Sequence, residues 1–302
     1  MELTELDSSR YESISELWKR CLGERWPISG DDLKLYLFNE IKGIAKINVG
    51  FIRDESVVAM ASSHRSGTQS GFLLILVDPD YQRRGLGRQL IAEIAVRQYS
   101  AGVQEIKIGS VGCGYLWPGI PDDCSSARLL FESLGFQTGS MYSLVLDTSK
   151  YSSRATWPDQ VSIRPLEREE ADKLMAMQVR CAFGWESDFE RPISQGRHQD
   201  IIVAVTQGSI LGALTIRGSD QHHLWRRKLG DEMGEIDNVG VDKAYRHQGV
   251  GLGLVDYATQ TMHRRGMTKI LIGNTWLKDW YGRLGYQVWS EWHTCKASLP
   301  LS

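Results

Sequence analysis

Apolar positions along this chain follow two rhythms that alternate and then repeat. Short aliphatic runs at residues 46–52, 57–62 and 72–77 predict strands. Runs at 201–205, 210–217 and 235–241 restate the series. The first two runs of each set are joined by turn-like residues, Asp54-Glu55 and Gln207-Gly208-Ser209, as hairpins should be. After each third run the period lengthens to that of a helix. Leu86, Leu90, Ile91 and Ile94 mark one apolar face, and Val250, Leu254, Val255, Ala258 and Met262 mark the other. Shorter helices are expected at 14–21 and 171–180. A further strand (105–110 or 269–273) and a short helix close each series. That helix ends in Leu134-Gly135-Phe136 or Leu284-Gly285-Tyr286, where glycine suits a left-handed cap, and a last strand follows. The pattern is α/β with a mixed sheet.

The same unit is therefore written twice. Arg20-Cys21 precedes Pro27-Ile28-Ser29, and Arg180-Cys181 precedes Pro192-Ile193-Ser194. The polar stretch from Lys150 to Arg154 separates a strand at 142–146 from one at 161–164. This predicts domains at 1–150 and 155–302 joined by a short linker. Residues 111–124 read as an insertion in the first copy and 219–234 as one in the second.

Between strand and helix each copy carries a glycine loop. The first has Val77, Asp78, Tyr81, Gln82, Arg83, Arg84, Gly85, Leu86, Gly87 and Arg88; the second has Val241, Asp242, Tyr245, Arg246, His247, Gln248, Gly249, Val250 and Gly251. A strand turning sharply into a helix leaves the first helical amides unpaired, backed by the positive end of the helix dipole. A pyrophosphate suits that spot. The glycines let the backbone approach it, and the arginines and His247 add charge nearby.

These loops fit the Q/R-x-x-G-x-G/A signature, and across nearly its whole length the chain resembles the GCN5-related N-acetyltransferases. The resemblance implies two tandem units. Each would be a mixed, mostly antiparallel sheet flanked by helices, with splayed parallel central strands. It also implies acetyl-CoA as co-substrate, its pyrophosphate on the loop amides and its pantetheine arm in the splay. A backbone amide near Val77 or Val241 would polarise the acetyl carbonyl.

The family's general base often stands eleven positions before the first loop residue. That count reaches Glu235 in the second copy and Gly71 in the first. Its general acid is often a tyrosine four positions before the terminal glycine, which gives Tyr281 against Phe131. Phenylalanine fills the space but has no proton to donate. The second copy is thus expected to be the catalyst, and the first to bind acetyl-CoA without turnover. The position of an asparagine that contacts pantetheine in the family is held by Ser125 in the first copy and Thr275 in the second; Asn274, one residue earlier, is the expected contact there.

The helical region that shapes the acceptor side in the family reads 182–190 in the second copy. Trp185 and Glu186 there suit a cationic, hydroxylated amine. The stretches 114–121 and 273–282 resemble bacterial two-domain acetyltransferases, some acting on glucosamine or glucosaminides. The layout also resembles mycothiol synthase. The expected function is acetyl transfer to a primary amine of a small molecule, with an amino sugar preferred. A non-catalytic acetyl-CoA sensor and a protein or peptide N-acetyltransferase are the alternatives.

Bulk properties fit that picture. Net charge is -2 with a pI near 6.4, so no basic surplus points to nucleic acid. The longest aliphatic run, 72–77, is far below the roughly 20 residues of a membrane span. Five scattered cysteines, Cys21, Cys113, Cys124, Cys181 and Cys295, read as reduced thiols. The N-terminus lacks the apolar core of a signal peptide, so a cytoplasmic protein, monomer or homodimer, is expected. His222 and His223 are adjacent rather than spaced as ligands, and read as part of an exposed insertion; no metal is expected.

Overall fold

A computed structural model describes residues 1–109 and 116–301. Cys113, the end of the strand expected at 105–110 and the start of the stretch at 114–121 lie outside the described residues. In chain order the first half contributes β1 (Leu3–Glu5), α1 (Tyr11–Cys21), α2 (Gly30–Leu37), β2 (Ala45–Arg53), β3 (Ser56–Ser66) and β4 (Gln69–Val77). Then come α3 (Leu86–Ser100), β5 (Glu105–Ile108), β6 (Ile120–Pro121), α4 (Ser125–Glu132) and β7 (Gln137–Asp147). The second half contributes β8 (Ser162–Pro165), α5 (Ala171–Cys181), α6 (Glu186–Ser194), β9 (Ile201–Thr206), β10 (Ser209–Arg217) and α7 (Arg226–Leu229). It ends with β11 (Met233–Val241), α8 (Val250–Arg264), β12 (Lys269–Thr275), α9 (Lys278–Gly282) and β13 (Gln287–Ser298).

The chain forms two compact units, but not along the linear division predicted at residue 150. One unit is Met1–Met141 with Ser290–Ser302, and the other is Tyr142–Trp289. Each last strand therefore begins in one unit and ends in the other. Leu144 and Leu146 of β7 are buried in the second unit's core, where β7 pairs with β12. Ala297 of β13 is buried in the first unit's core, where β13 pairs with β5. Apolar alternation predicts that a strand forms but does not name its partner.

In the first unit the strands lie in the order β1-β2-β3-β4-β5-β13, and in the second β7-β12-β11-β10-β9-β8. The pairs β4–β5 and β11–β12 are parallel, while the other pairs within each unit are antiparallel. Each parallel pair holds for three residues and then splays. Ser70–Phe72 meet Ile106–Ile108, although β4 runs on to Val77. Met233, Gly234 and Glu235 meet Lys269, Ile270 and Leu271, although β11 runs on to Val241.

Period-two alternation sets the layers of the second unit. Ile202 and Ala204 face the cluster that includes Leu254, Val255, Ala258 and Met262 of α8. Ile201, Val203 and Val205 face Leu174 and Met177 of α5 and Phe189 of α6. Burying each large aliphatic contributes about 1.5–3 kcal/mol, so a one-residue slip of β9 would lose both faces at once.

The glycine loops repeat in conformation as well as in sequence. Arg83 and His247 are left-handed at φ 61° and 63°, and Gly85 and Gly249 cap their helices at φ 81° and 83°. Their surroundings differ. A Cβ on Gly249 would lie 2.1 Å from the Thr156 carbonyl oxygen, whereas one on Gly85 meets only Gln89 at 3.7 Å. Left-handed backbone costs a non-glycine residue about 1–2 kcal/mol in either place. Gly249→Ala should therefore lower the thermal unfolding midpoint clearly more than Gly85→Ala, each measured in the full chain.

Candidate active site

The helix-entry amides come first. The earliest helical bonds run from Gln89 N to Gly85 O at 3.1 Å and from Gly253 N to Gly249 O at 2.9 Å. The preceding amides at each helix entry thus have no intrahelical partner and form a ready anion cradle. Several charged loop side chains expected to serve that anion are occupied otherwise. Gln82 and Arg246 bond the carbonyls of Val77 and Val241, at 3.1 and 3.0 Å. Arg84 bonds Asp80 O and lies over the Tyr81 ring, and Arg88 bonds Ser133. Gln248 bonds Ala244 O at 3.3 Å. These contacts fix the loop's path; recognition of the anion then falls chiefly to the backbone.

Gly87 and Gly251 have a packing reason to be glycine. A Cβ on Gly87 would lie 2.9 Å from Leu130, and one on Gly251 would lie 3.1 Å from Trp280. Closing α4 and α9 onto the loops in this way sets Phe131 and Tyr281 beside them. Phe131 is fully buried, edge-on to Phe72 and Phe136. Tyr281 is 6% exposed and edge-on to Trp280. Burial, then the charge of Asp237, holds the Tyr281 phenol well above its ordinary range, so it is protonated at neutral pH.

The register of the parallel strands supports the equivalences counted from sequence. Gly71 pairs with Lys107 and Glu235 with Leu271, each one step past the matched pairs Ser70–Ile106 and Gly234–Ile270. Glu235 is thus the last paired residue of β11 before the strands part. It is buried and anchored on two sides. Arg217 of β10 bonds Oε2, and His223 Nδ1 lies 3.0 Å from Oε1.

That histidine corrects the reading of residues 219–234 as an exposed insertion. Trp225 and Leu229 are buried, with Trp225 packed 6.0 Å from Trp289, and they draw the segment inward. His223 is 4% exposed, and its Nε2 stands 2.7 Å from Gly218 O. Burial pushes the imidazole down to about 4 against the pull of the Gly218 carbonyl; Arg217, Arg226 and His222 push it the same way. Both ring nitrogens nevertheless face acceptors. Nε2 must donate to the carbonyl, which leaves the Nδ1 lone pair of the neutral imidazole facing Oε1.

Sequence reasoning missed Asp237, and within the acceptor-side stretch 182–190 it singled out Glu186 rather than Asp188. Asp237 follows Glu235 by two positions, so strand alternation could have found it. It is half-buried, accepts from Arg217 at 3.1 and 3.3 Å, and is the charge that acts on Tyr281. Asp188 of α6 is raised by burial first and then by Asp237. Glu186, the predicted acceptor-side acid, is half-buried in the first turn of α6. Trp185 stacks on Phe183 at 5.1 Å, and Phe183 fits against Gly240, where a Cβ would lie 2.7 Å from its ring. An aromatic pair therefore covers β11 just before the loop.

Asn274 ends β12 in left-handed backbone at φ 49°, and its buried Oδ1 has no hydrogen-bond partner. Thr275 instead accepts from Leu277 N at 3.1 Å and starts α9. An orphaned acceptor at the open end of the splay fits the amide-bearing arm of acetyl-CoA. Among the described residues no group of three metal-ligating side chains occurs, and no helix is long and apolar enough to cross a membrane.

The first unit differs at the corresponding places. Its helix α1 matches α5 residue for residue, and Arg20–Asp78 matches the Arg180–Asp242 ion pair. Trp18 stands where α5 has Gln178. Trp18 stacks on Trp117, which also meets Trp26 and Trp292, and all four indoles are buried. Leu73 stands two positions after Gly71, where the second unit has Asp237.

A splayed parallel pair, a glycine loop at the helix entry and a Leu-Gly-aromatic close, all present twice, define an acetyltransferase fold in tandem. Comparison with known families agrees. The model of the GNAT acetyltransferase family matches residues 168–286, and that of the GNAT acetyltransferase domain matches 46–138. The chain belongs to the GNAT acetyltransferase family, as a two-domain member.

Among solved structures it is similar to the glucosamine N-acetyltransferase region of a fungal multi-domain beta-N-acetylglucosaminidase. The TM-score is 0.82 at 22% identity, over 98% of this chain and 38% of that one. It is also similar to a tandem GNAT protein from the clavulanic acid biosynthesis pathway, with TM-score 0.66 and 15% identity over 100% and 99% of the two chains. At these identities the likeness is one of fold. The ribosomal protein bS18-alanine N-acetyltransferase of Salmonella typhimurium strain LT2 is 29% identical over 100 residues. That match spans 33% of this chain and 61% of the curated relative.

Proposed function

We propose that this chain transfers the acetyl group of acetyl-CoA to the primary amine of a small molecule, with the second unit as catalyst and an amino sugar as acceptor. The observation that carries this reading is the inequality of the two splays. One has Glu235 at its vertex and Tyr281 beside its loop; the other has Gly71 and Phe131 at the equivalent positions. In this reading Glu235 takes the proton from the acceptor ammonium. The Tyr281 phenol protonates the departing thiolate, whose unperturbed pKa of about 8.5 lies below that of a phenol. The loop amides and Asn274 hold the co-substrate. The first unit binds acetyl-CoA without turnover or serves to complete the fold.

The acceptor class rests on the carboxylates and aromatics that meet near β11. Asp188, Asp237 and Glu235 outnumber the cations of Arg217 and Arg191 that accompany them, which favours a cationic acceptor. Trp185 and Phe183 offer faces that suit a sugar ring. The glucosamine N-acetyltransferase region with the same fold points the same way.

One observation favours a second assignment of the base. Asp237, more open than Glu235, is the carboxylate whose charge reaches Tyr281. The general test is an amine panel followed by free thiol release from acetyl-CoA. Amino sugars should release thiol fastest. Measurable acetyl-CoA binding with no release for any amine would point to a sensor, and release with peptides alone would point to a protein-directed enzyme.

A further inference from the structure

In the second unit a buried histidine from an insertion touches the carboxylate at the vertex of the splay. The first unit lacks both the insertion and the carboxylate. Its β3 and β4 are joined by the two-residue turn at Gly67 and Thr68, Gly71 stands at the position of Glu235, and the buried His64 opposite Gly71 on β3 turns its Nε2 to the Tyr36 carbonyl at 3.0 Å. The His223 imidazole is fixed at both ends, by the Gly218 carbonyl at 2.7 Å and by Oε1 of Glu235 at 3.0 Å. A half-exposed Arg217 holds the other carboxylate oxygen. A buried carboxylate held by two donors alone would simply be a fixed anion. Here one of the two contacts is a ring nitrogen whose lone pair faces the carboxylate, because Nε2 donates to Gly218, so a proton taken up at Oε1 is shared with it.

We propose that His223 is a positioning residue for acetyl transfer. It clamps Oε1 of Glu235 and makes the carboxylate a stronger base, so that the proton taken from the acceptor ammonium is shared between Oε1 and Nδ1. This rests on the reading of Glu235 as the base of the second unit. The ammonium N–H breaks and its proton moves to Oε1; the freed amine forms the new C–N bond as the C–S bond breaks. Tyr281 donates its proton to the thiolate. The histidine–glutamate pair loses its proton to water as the tyrosinate regains one from water.

The titration belongs to the pair, not to either residue. Other groups bias it. Arg217 from β10, with Arg226 and His222 from the insertion, disfavours the added proton. Asp237 on β11 and Asp188 on α6 favour it through their charge. Leu271, the partner of Glu235 on β12, contributes no charge.

His223→Gln keeps a donor for Gly218 and removes Nδ1. It should lower kcat by about tenfold or more, leave the KM for acetyl-CoA unchanged, and move the acid limb of the pH–rate profile to lower pH. His223→Asn returns a donor near Nδ1 and should recover part of kcat while the limb stays low. An unchanged kcat and limb in His223→Gln would overturn the proposal. So would a loss of kcat with an unmoved limb, which marks a merely structural role. Should that variant not fold, ring-nitrogen NMR decides. His223 and Glu235 should titrate together in the full-length protein, and His223 should titrate independently in Glu235→Ala; identical His223 curves would refute the pairing. A wild-type protein that releases no thiol with any amine sinks the catalytic reading instead, and the same NMR experiment still tests the pair.

Discussion

Tyr281→Phe is expected to lower kcat by roughly a hundredfold to ten-thousandfold, the range lost with a general acid, while acetyl-CoA binds as before. The substitution removes one oxygen from a ring that is already 6% exposed and packed edge-on to Trp280, so the fold has little to lose. The phenol is suited to the role because burial and Asp237 keep it protonated at neutral pH. Phe131→Tyr in the first unit should confer nothing, because Gly71 and Leu73 leave that splay without a carboxylate. An Arg83/Arg84 double variant should leave turnover intact. If Tyr281→Phe kept full activity while the arginine pair proved essential, the catalyst would be the first unit.

Glu235→Gln should bring the second large loss, again about a hundredfold or more in kcat. Glutamine keeps the shape and an acceptor for Arg217 but cannot take up a proton. Asp237→Asn should act differently, raising the KM for the amine more than it lowers kcat, because its charge then serves to hold the ammonium. The pair of variants separates the two assignments of the base. If Asp237→Asn abolished kcat and Glu235→Gln did not, Asp237 would be the base and the buried Glu235 an anchor for Arg217. Steady-state kinetics with the best amine of the panel reads both outcomes.

Much of the architecture was legible in the residues. Alternation in β9 and β10 and the helical period of α3 and α8 are local consequences of burying one face, and they stand where expected. The left-handed caps at Gly135 and Gly285, at φ 82° and 94°, follow from the Leu-Gly-aromatic endings. The counts to Glu235 and Tyr281 agree with the observed strand register and helix packing. The insertion at 219–234 was misjudged for a physical reason. Its histidines, arginines and lysine look solvated, and the signal of burial was carried by four scattered apolar residues, Leu224, Trp225, Leu229 and Met233. Asp188 and Asp237 carry no spacing motif linking them; only the folded chain brings Asp237 within electrostatic reach of Asp188.

The sequence by itself determined that two copies of one α/β unit are present, that each has a glycine loop at a helix entry, and that they differ in the two titratable positions. Those are short-range facts, set by side-chain periodicity and by what glycine alone allows. The tertiary structure decided where the last strands end, because a strand's partner is chosen by complementarity of distant edges. It also decided that Arg246 and Gln82 brace their own loops and that His223 closes on Glu235. Contacts across many residues depend on how the elements pack, and no local pattern encodes them.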